Sequence, residues 1–339
     1  MPDSAAIAIL NWNGAALLQR FLPSVLKYTE DLATIYVIDN NSSDQSIELL
    51  QKEFPIVKVI CNDGNYGYAG GYNKGLQSIP EEYVVLLNSD VEVTENWLQP
   101  LLQRMKENPG LGALQPKIKD LKQPDHFEYA GASGGWIDVL GYPFCRGRIF
   151  YEYEEDHGQY DDYQEVFWAS GACLVIRQEA FKKAGGLDES LFAHMEEIDL
   201  CWRMHLNDYK VACEPASVIY HLGGATLNKI SPQKTYLNFR NSLIILYLNL
   251  PAWQGFTRIM QRLVLDGIAG VKFITEGKPR HCWAVLRAHF AFYRRFNRMA
   301  RARVNRPSRS IHDLPGVYSG SIVKAFYVSK KRRFSDLFN

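Results

Sequence analysis

The chain has 339 residues, 47% hydrophobic and 22% charged, which is typical of a folded protein with one large domain or two ordinary ones. This composition excludes a chain dominated by disorder. Six cysteines lie apart without a CxxC pair or a metal-ligand spacing, which favours reduced thiols in a cytoplasmic protein. Neither a secretory signal nor a window of roughly 18 charge-free apolar residues is visible, so we expect no membrane span.

The net charge of +1 conceals two parts of opposite sign. Residues 251–339 contain 18 Lys and Arg against 4 Asp and Glu, a net charge of +14, which leaves −13 for residues 1–250. We therefore predict a boundary at residue 250. The acidic part needs a cation near its carboxylates, and the basic part needs an anionic partner.

Apolar runs alternate with segments of helical periodicity along the first part of the chain. Strands are predicted at AIAILNW, TIYVIDN, VKVICN and YVVLLNSD, and helices at ALLQRFLPSVLKYT, SIELLQKEF and AGGYNKGLQSI. Each strand is an uninterrupted apolar run of the kind buried in parallel sheets. The fold class is therefore α/β, with a mostly parallel central sheet flanked by helices.

Polar residues follow each of the four predicted strands. They are Asn11 and Asn13, Asp39 and Asn40, Asn62 and Asn65, and Asp90. In an open parallel sheet, ligands bind in the crevice beyond the carboxyl ends of the strands. Turn chemistry alone would also explain an Asp at a strand end, and helix capping is the simpler interpretation for Asp44. The glycine-rich segment NDGNYGYAGGYNKG lacks the spacing of a dinucleotide fingerprint.

Seven segments occur in an order that resembles the inverting family 2 glycosyltransferases of GT-A fold, especially the rhamnosyltransferase-like branch. They are AIAILNWNG, VIDNNSSDQS, NYGYAGGYNKG, LLNSD, SGACLVIRQEAFKKAGGLDESLF, HMEEIDLCWR and VIYHLGGAT, and they cover about residues 5–245. The resemblance implies a Rossmann-like GT-A domain over residues 1–250, with a nucleotide-sugar half to about residue 110 and an acceptor half beyond it. It also implies a nucleotide-sugar donor, dTDP-rhamnose or a UDP-sugar, and a divalent cation, Mn²⁺ or Mg²⁺.

The resemblance further implies which residues contact the donor and the metal ion. The donor set is Asn11, Asn13, Asp39, Asn40, Asn65, Gly67, Asn73, Asn88 and Ser89. The family's Asp-x-Asp metal motif begins with Asn88 here, so Asp90 alone provides a carboxylate for the ion. His221 matches the family's metal-ligating His, although a structural His is the alternative, and an imidazole ligand favours Mn²⁺.

An inverting transfer needs a base to accept the proton of the attacking hydroxyl. The segment HMEEIDLCWR provides Glu196, Glu197 and Asp199 at the start of a predicted helix, where acids could also simply complement the helix dipole. In the resembling family the pattern is Glu-Asp-x-Asp with the second acid as base, a position that Glu197 occupies. Because Glu is one methylene longer than Asp, Glu196 remains the alternative base.

Residues 115–170 are rich in Tyr, Gly and acids and show weak periodicity, so a surface insertion is one interpretation. We expect the acidic stretch 152–162 to be a solvated loop, and FWASGACLVI to return as a strand. The resemblance assigns five residues to the acceptor side: Trp168, Ser170, Gly171, Asp188 and Asp199. Trp168 is either a platform for a sugar ring or a core residue.

The basic C-terminal region mixes apolar and basic residues at helical spacing and leaves three interpretations open. Nucleic-acid binding is the weakest, because no recognised module is present. A packed helical extension or homodimer contact is the second, and contact with an anionic membrane is favoured. We thus expect a cytoplasmic enzyme, peripheral on the inner face of the membrane, that acts on glycan or polyprenyl-diphosphate-linked glycan acceptors in cell-surface polysaccharide assembly. The alternatives are a nucleotidyltransferase and a non-catalytic nucleotide-sugar-binding or scaffolding protein.

Overall fold

The first part of the chain alternates strands and helices, as its periodicity predicts. The computed structural model describes residues 5–223, 231–304 and 306–338. The elements of this part are β1 (Ala5–Asn11), α1 (Ala15–Thr29), β2 (Thr34–Asp39), α2 (Ser46–Glu53), β3 (Lys58–Cys61), α3 (Gly67–Gly75), β4 (Tyr83–Leu87), β5 (Val91–Val93) and α4 (Leu98–Glu107). The first four strands pair in parallel in the order β3-β2-β1-β4, which confirms the predicted parallel arrangement.

Alternate residues of the central strands face two separate cores, as the two-residue period of a strand requires. Val84 and Leu86 of β4 belong to one apolar cluster, and Val85 and Leu87 belong to the other. All four side chains are fully buried. The strands therefore read as continuous apolar runs because both faces of the sheet are covered.

The second part extends this sheet with mixed pairing. Its elements are β6 (Leu111–Asp120), β7 (Gly135–Asp138), β8 (Pro143–Cys145), β9 (Arg148–Ile149), β10 (Glu152–Tyr153), β11 (Gln164–Glu165), β12 (Cys173–Arg177), α5 (Gln178–Lys183), α6 (Glu196–Leu206) and β13 (Lys210–His221). In the described residues the large sheet has the order β11-β13-β6-β12-β4-β1-β2-β3, and β5 pairs with β13. Because β12 is antiparallel to both of its neighbours, only the first half of the sheet is purely parallel.

The middle of the chain is more ordered than its sequence predicts. Strands β7 to β10 form a second, smaller sheet, and the acidic stretch 152–162 is not simply a solvated loop. Lys117 forms an ion pair with Asp156 at 3.2 Å in which both side chains are largely buried, and Tyr160 is also buried. The predicted strand at FWASGACLVI begins only at Cys173, after an irregular segment.

The C-terminal region is helical, as predicted, and packs against the rest of the molecule. Helix α7 (Pro232–Asn249) ends just before the predicted boundary, and the elements beyond it are α8 (Ala252–Thr275), α9 (Pro279–Arg294), α10 (Phe296–Arg303), β14 (Val317–Tyr318) and α11 (Ile322–Tyr327). Strand β14 pairs with β7, and Phe326, Phe334 and Leu337 are buried in the same apolar cluster as Phe144. Among the described residues, no helix combines the length and the apolar character that crossing a membrane requires.

Candidate active site

The carboxyl ends of β1 and β2 carry a closed network of hydrogen bonds. Asp39 accepts from Asn11 Nδ2 at 2.9 Å, from the Ser42 backbone N–H at 2.8 Å and from Ser42 Oγ at 2.6 Å. Asn11 and Asp39 are both buried, so the network is shielded from bulk water. The two predicted donor residues therefore lie together at the crevice edge, with both Asp39 oxygens already bonded.

The turn after β2 is organised by Asn13 and Asp44. Asn13 Oδ1 accepts from the backbone N–H of Ser43 at 2.7 Å, and Asn13 itself has a φ of 52°. Asp44 accepts from the N–H of Ala15 and from that of Ser46, both at 3.0 Å, so it satisfies the first residues of two helices. Capping is thus the role of Asp44, as the simpler interpretation predicts.

The remaining predicted donor residues divide into two groups. Asn40 Nδ2 donates to the carbonyl of Gly67 at 2.9 Å, and Asn65 Oδ1 accepts from the Gly67 N–H at 2.9 Å, so these three lie together. Gly67 has a φ of 66°, a conformation that a glycine adopts without strain. Asn73 is not part of this group, because its amide bonds the backbone of Leu187 at 2.9 and 3.0 Å.

A buried chain of three charged side chains begins just after β4. His221 Nε2 lies 3.1 Å from Asp90 Oδ1, and His221 Nδ1 lies 3.3 Å from Glu128 Oε2. Burial by itself would lower the pKa of His221, but hydrogen bonds and the charges of Asp90 and Glu128 raise it to about 10. The pKa of Glu128 is lowered, because the contact with His221 outweighs the effect of burial.

The sequence analysis did not identify Glu128, which lies in an irregular segment with no periodicity. A Cβ at Gly223 would lie 2.7 Å from Glu128 Oε1, so the glycine allows the carboxylate to approach. The rest of the glycine-rich motif, residues 224–226, lies outside the described residues.

The Asp90 and His221 side chains fit two ligands of a divalent cation. Their facing atoms are 3.1 Å apart, close to the separation of adjacent ligands with bonds of about 2.1 Å at right angles. Within residues 5–223, 231–304 and 306–338, no three His, Cys, Asp or Glu side chains surround a common point. A two-ligand site is nevertheless sufficient for an ion whose other ligands are phosphate oxygens and water. Glu128 would orient His221 through its second ring nitrogen, a common arrangement at metal sites.

One irregular segment connects this pair to the acids of α6. The Asn88 backbone N–H donates to the carbonyl of Ala172 at 3.0 Å. A Cβ at Gly171 would lie 2.8 Å from the Tyr68 hydroxyl and 3.9 Å from Cβ of Glu197. The candidate metal ligands and the candidate base therefore lie on either side of the same short segment.

Glu196 and Glu197 are acids in an apolar environment. The pKa of Glu196 is raised well above its ordinary value, first by burial and then by the charge of Glu197, and burial also raises the pKa of Glu197. Within the described part of the chain, Glu196 Oε2 is buried without a hydrogen-bond partner, whereas Glu197 is half-buried. The arrangement provides a carboxylate with an unusually high proton affinity beside the crevice.

Comparison with known proteins agrees with this geometry. The family model described as Glycosyl transferase family 2 matches residues 6–185, more than half of the chain. The chain belongs to this family.

This family 2 glycosyltransferase has curated relatives in bacteria and archaea. It is 27% identical over 239 residues to the N-acetylglucosaminyl-diphospho-decaprenol L-rhamnosyltransferase of Mycobacterium tuberculosis, which covers 65% of this chain and 76% of the relative. It is 24% identical over 250 residues to the low-salt glycan biosynthesis hexosyltransferase Agl10 of Haloferax volcanii. This alignment covers 72% of this chain and 76% of the relative.

Solved structures share the fold of this glycosyltransferase. S. aureus TarS 1-349 in complex with UDP-GlcNAc superposes with a TM-score of 0.55 at 15% identity, over 88% of this chain and 89% of TarS 1-349. GalNAc-T7 with UDP, GalNAc and Mn²⁺ superposes with a TM-score of 0.56 at 19% identity, over 74% of this chain and 49% of GalNAc-T7. The predicted GT-A fold is thus confirmed.

Two acceptor-side interpretations of this glycosyltransferase require correction. Trp168 is 4% exposed and donates from Nε1 to the carbonyl of Trp136 at 3.0 Å, so it is a core residue and not a platform for a sugar. Ser170 is also buried, and its N–H donates to Gln115 Oε1 at 2.9 Å. In the same segment, Gly171 adjoins the candidate base.

Asp188 and Asp199 are likewise neutralised by arginines. Asp199 is fully buried, bonds Arg203 at 2.8 Å and accepts from Asn249 Nδ2 at 2.8 Å. Arg306 of the C-terminal region lies 3.3 Å from Asp188 Oδ2 and 3.7 Å from Asp199 Oδ1. Neither acid is free to act on an acceptor, since their carboxylates hold the C-terminal region against α6.

A strained loop positions the start of α6, and this feature was missed by sequence reasoning. Phe192, His194 and Met195 have φ values of 69°, 66° and 75°, which are costly for residues with a side chain. Asn241 Nδ2 lies 2.7 Å from the His194 carbonyl and 2.9 Å from those of Leu191 and Ala193. The available signal was the polar pair Arg240-Asn241 directly before the apolar stretch of α7, where both side chains are buried.

Proposed function

We propose that this chain is a metal-dependent, inverting glycosyltransferase that moves a sugar from a nucleotide diphosphate donor to a glycan or lipid-linked glycan acceptor. The observation that carries the proposal is that one segment links the Asp90–His221 pair to Glu197. Asn88, two residues before Asp90, donates to Ala172, and a Cβ at the adjacent Gly171 would lie 3.9 Å from Cβ of Glu197. A displacement at the anomeric carbon needs a cation for the leaving diphosphate and a base for the hydroxyl within reach of one sugar.

The nucleotide is assigned to the hydrogen-bonded crevice edge at Asn11, Asp39 and Asn40. Asn88 and Ser89, which are half-buried beside it, are assigned to the ribose or to water on the ion. A Mn²⁺ or Mg²⁺ ion held by Asp90 and His221 would offset the charge that develops on the leaving diphosphate.

Glu197 is assigned as the base that accepts the acceptor proton. A pKa raised by burial brings its proton affinity closer to that of the hydroxyl in the transition state. Glu196, one residue earlier and more deeply buried, has its pKa raised first by burial and then by the charge of Glu197. Lys234, whose charge lowers the pKa of Glu197, limits the shift.

The relatives indicate the substrate classes. The name of the M. tuberculosis relative specifies a rhamnosyl donor and a sugar linked to decaprenol through a diphosphate. TarS and GalNAc-T7 are solved with UDP or a UDP-sugar. We therefore assign dTDP-rhamnose or a UDP-sugar as donor and a polyprenyl-diphosphate-linked glycan as acceptor, in cell-surface polysaccharide assembly.

The decisive experiment is to incubate the protein with a panel of nucleotide sugars, with Mn²⁺, Mg²⁺ or EDTA, and to identify the nucleotide released. We expect nucleoside diphosphate release that depends on the metal ion, and a product of inverted anomeric configuration by NMR. Release of inorganic pyrophosphate from a sugar phosphate and a nucleoside triphosphate would instead indicate a nucleotidyltransferase. Donor binding without release under any condition would indicate a non-catalytic binding protein.

Helix α8 supports a peripheral contact with the membrane. Seven apolar side chains along its 24 residues, a length of about 36 Å, are between 41% and 75% exposed. They are Trp253, Phe256, Met260, Val264, Ile268, Val271 and Ile274. The surrounding region has a net charge of +14, so a surface both apolar and anionic complements it best, and the inner face of the cytoplasmic membrane is such a surface.

Vesicle flotation tests this membrane contact. The protein should float with vesicles of phosphatidylglycerol and phosphatidylcholine at low salt, and less at high salt because screening weakens the charge interactions. The double variant Val264→Glu/Ile268→Glu should lose binding, whereas Gln261→Glu on the same helix should retain most of it. A different result would show that a second copy covers the apolar face. In that case the wild-type protein would be a dimer that does not float, and the double variant would be a monomer.

A further inference from the structure

A groove of about 550 Å³ lies between α7 and α9, on the surface of the C-terminal region. Its lining is unusual because it combines guanidinium groups with aromatic rings. The main lining residues are Tyr236, Trp283, Arg287, Phe290, Arg294 and Arg295. This volume lies within the range of sites that bind small molecules.

The arginines of the groove have no acidic partners. Within the described parts of the chain, no carboxylate forms an ion pair with Arg287, Arg294, Arg295 or the neighbouring Arg240. The pKa of Arg295 is lowered, first by burial and then by the charge of Arg240. Asp188 is near enough for its charge to act on Arg295 without forming an ion pair with it. Several guanidinium groups in one groove favour the binding of an anion, and they suit phosphate in particular.

The aromatic rings make the same groove partly apolar. Trp283 is 59% exposed and Phe290 is 64% exposed, so both present ring surface to a ligand. Tyr236 lies between two guanidinium groups, with Arg240 and Arg287 at 5.3 and 5.1 Å from its ring centroid. A ligand that matches this lining is an anion attached to a hydrocarbon.

The groove adjoins the candidate base through two connections. Arg240 and Arg295 each donate to the carbonyl of Ser190, at 3.5 and 3.2 Å, in the loop that leads to α6. An anion in the groove would therefore lie on the acceptor side of the active site.

We propose that this groove, formed by Arg287, Arg294 and Arg295 with Trp283 and Phe290, binds the diphosphate and the first isoprene units of a polyprenyl-diphosphate-linked acceptor. The inference rests on the proposed function, since it names the site at which that acceptor's lipid diphosphate is held. The sugar attached to the diphosphate would then point toward Glu197. The hydrocarbon would continue along α9, which packs beside the exposed apolar face of α8.

Binding of farnesyl diphosphate, measured by titration calorimetry in EDTA and again with Mn²⁺ and saturating UDP or dTDP, tests the proposal without requiring turnover. EDTA removes the ion through which the metal site would hold a diphosphate, and the nucleoside diphosphate with Mn²⁺ occupies that site. The wild-type protein should bind farnesyl diphosphate, and it should bind farnesol and inorganic pyrophosphate at least 10-fold more weakly. Arg287→Ala/Arg294→Ala should weaken binding of farnesyl diphosphate by more than about 10-fold, as expected when charge-assisted hydrogen bonds are lost.

The matched control is Arg280→Ala/Arg301→Ala, which removes two exposed arginines of α9 and α10 that do not line the groove. Its affinity should stay within about 2-fold of wild type. The proposal is overturned if both double variants weaken binding equally, if pyrophosphate binds as tightly as farnesyl diphosphate, or if UDP displaces the probe. Loss of the proposed catalytic function would appear separately, as the absence of nucleotide release by the wild-type protein.

Discussion

The carboxylates on the two sides of the active site differ in their hydrogen bonding. At the nucleotide side, Asp39 accepts three hydrogen bonds from Asn11 and Ser42, and both of its oxygens are bonded. At the acceptor side, buried Glu196 lies next to half-buried Glu197, and Glu196 Oε2 has no hydrogen-bond partner in the described part of the chain. Both sides are shielded from water, and the contrast lies in the carboxylates, because both Asp39 oxygens are hydrogen-bonded. Beside them, Asn11 Oδ1 is buried without a partner among the described residues.

This difference in hydrogen bonding distinguishes carboxylates that stabilise the site from carboxylates that can accept a proton in the reaction. A carboxylate whose oxygens both accept hydrogen bonds from the protein stabilises the fold. A buried carboxylate without such partners destabilises the folded protein and holds a proton more tightly, as a general base near neutral pH requires. Four substitutions test this contrast, from the largest expected effect to the smallest.

We expect Asp90→Asn to reduce turnover to background, because it removes the carboxylate that faces His221. Nucleoside diphosphate release should be measured over a titration of Mn²⁺ and of Mg²⁺, together with donor binding in the presence of metal, which should also weaken. Asp44→Asn is the matched control, since Asp44 caps two helices at the same end of the sheet. Near-normal turnover by Asp90→Asn would mean that the metal ion is held elsewhere.

We expect Glu197→Gln to lower kcat by roughly 10²-fold to 10⁴-fold, the usual effect of losing a general base. Donor and metal affinities should stay close to wild type, because Glu197 does not contact the nucleotide side. As pH falls, Glu197 is protonated and can no longer accept a proton. Because its pKa is raised from 4.5, the wild-type kcat should begin to fall on the acid side at a pH above 4.5. If Glu196→Gln produces this loss and Glu197→Gln does not, the assigned base is off by one residue.

Neutralising Asp39 should destabilise the protein. In Asp39→Asn an amide N–H₂ would face groups that already donate, so we expect the free energy of unfolding to fall by about 1–3 kcal/mol in urea. Asp63→Asn removes an exposed carboxylate paired with Lys74 and should leave the free energy of unfolding close to wild type. An unchanged stability for Asp39→Asn would show that the closed network does not support the fold.

Neutralising Glu196 should stabilise the protein, in contrast to neutralising Asp39, and it should have the smallest effect of the four substitutions. Because its pKa is raised in the folded state, the folded protein binds the proton more tightly, and stability falls as pH rises above the ordinary value of 4.5. Glu196→Gln should therefore melt at a higher temperature than wild type at pH 7.5, with a difference that shrinks toward pH 4.5. The control is Glu92→Gln at an exposed position, which should melt at the wild-type temperature at both pH values. A melting temperature of Glu196→Gln below wild type at pH 7.5 would contradict the prediction.

The sequence by itself determined the alternation of strands and helices and the end of the sheet at which the polar groups gather. Continuous apolar runs predict buried parallel strands, and a strand such as β4 has one carboxyl end, so the position of Asp90 follows directly. The ordered motifs were sufficient for the family, and the capping role of Asp44 followed from local turn chemistry.

The tertiary structure alone decided which polar residues have partners. Trp168, Asp188 and Asp199 resemble acceptor residues in the sequence, but their partners come from segments up to about a hundred residues away, such as Arg306. Glu128 has no local signal, because its contact with His221 depends on the folding of an irregular segment over a strand end. Local periodicity records which face of an element is buried, whereas the charge state of a buried side chain depends on atoms brought to it from elsewhere in the chain.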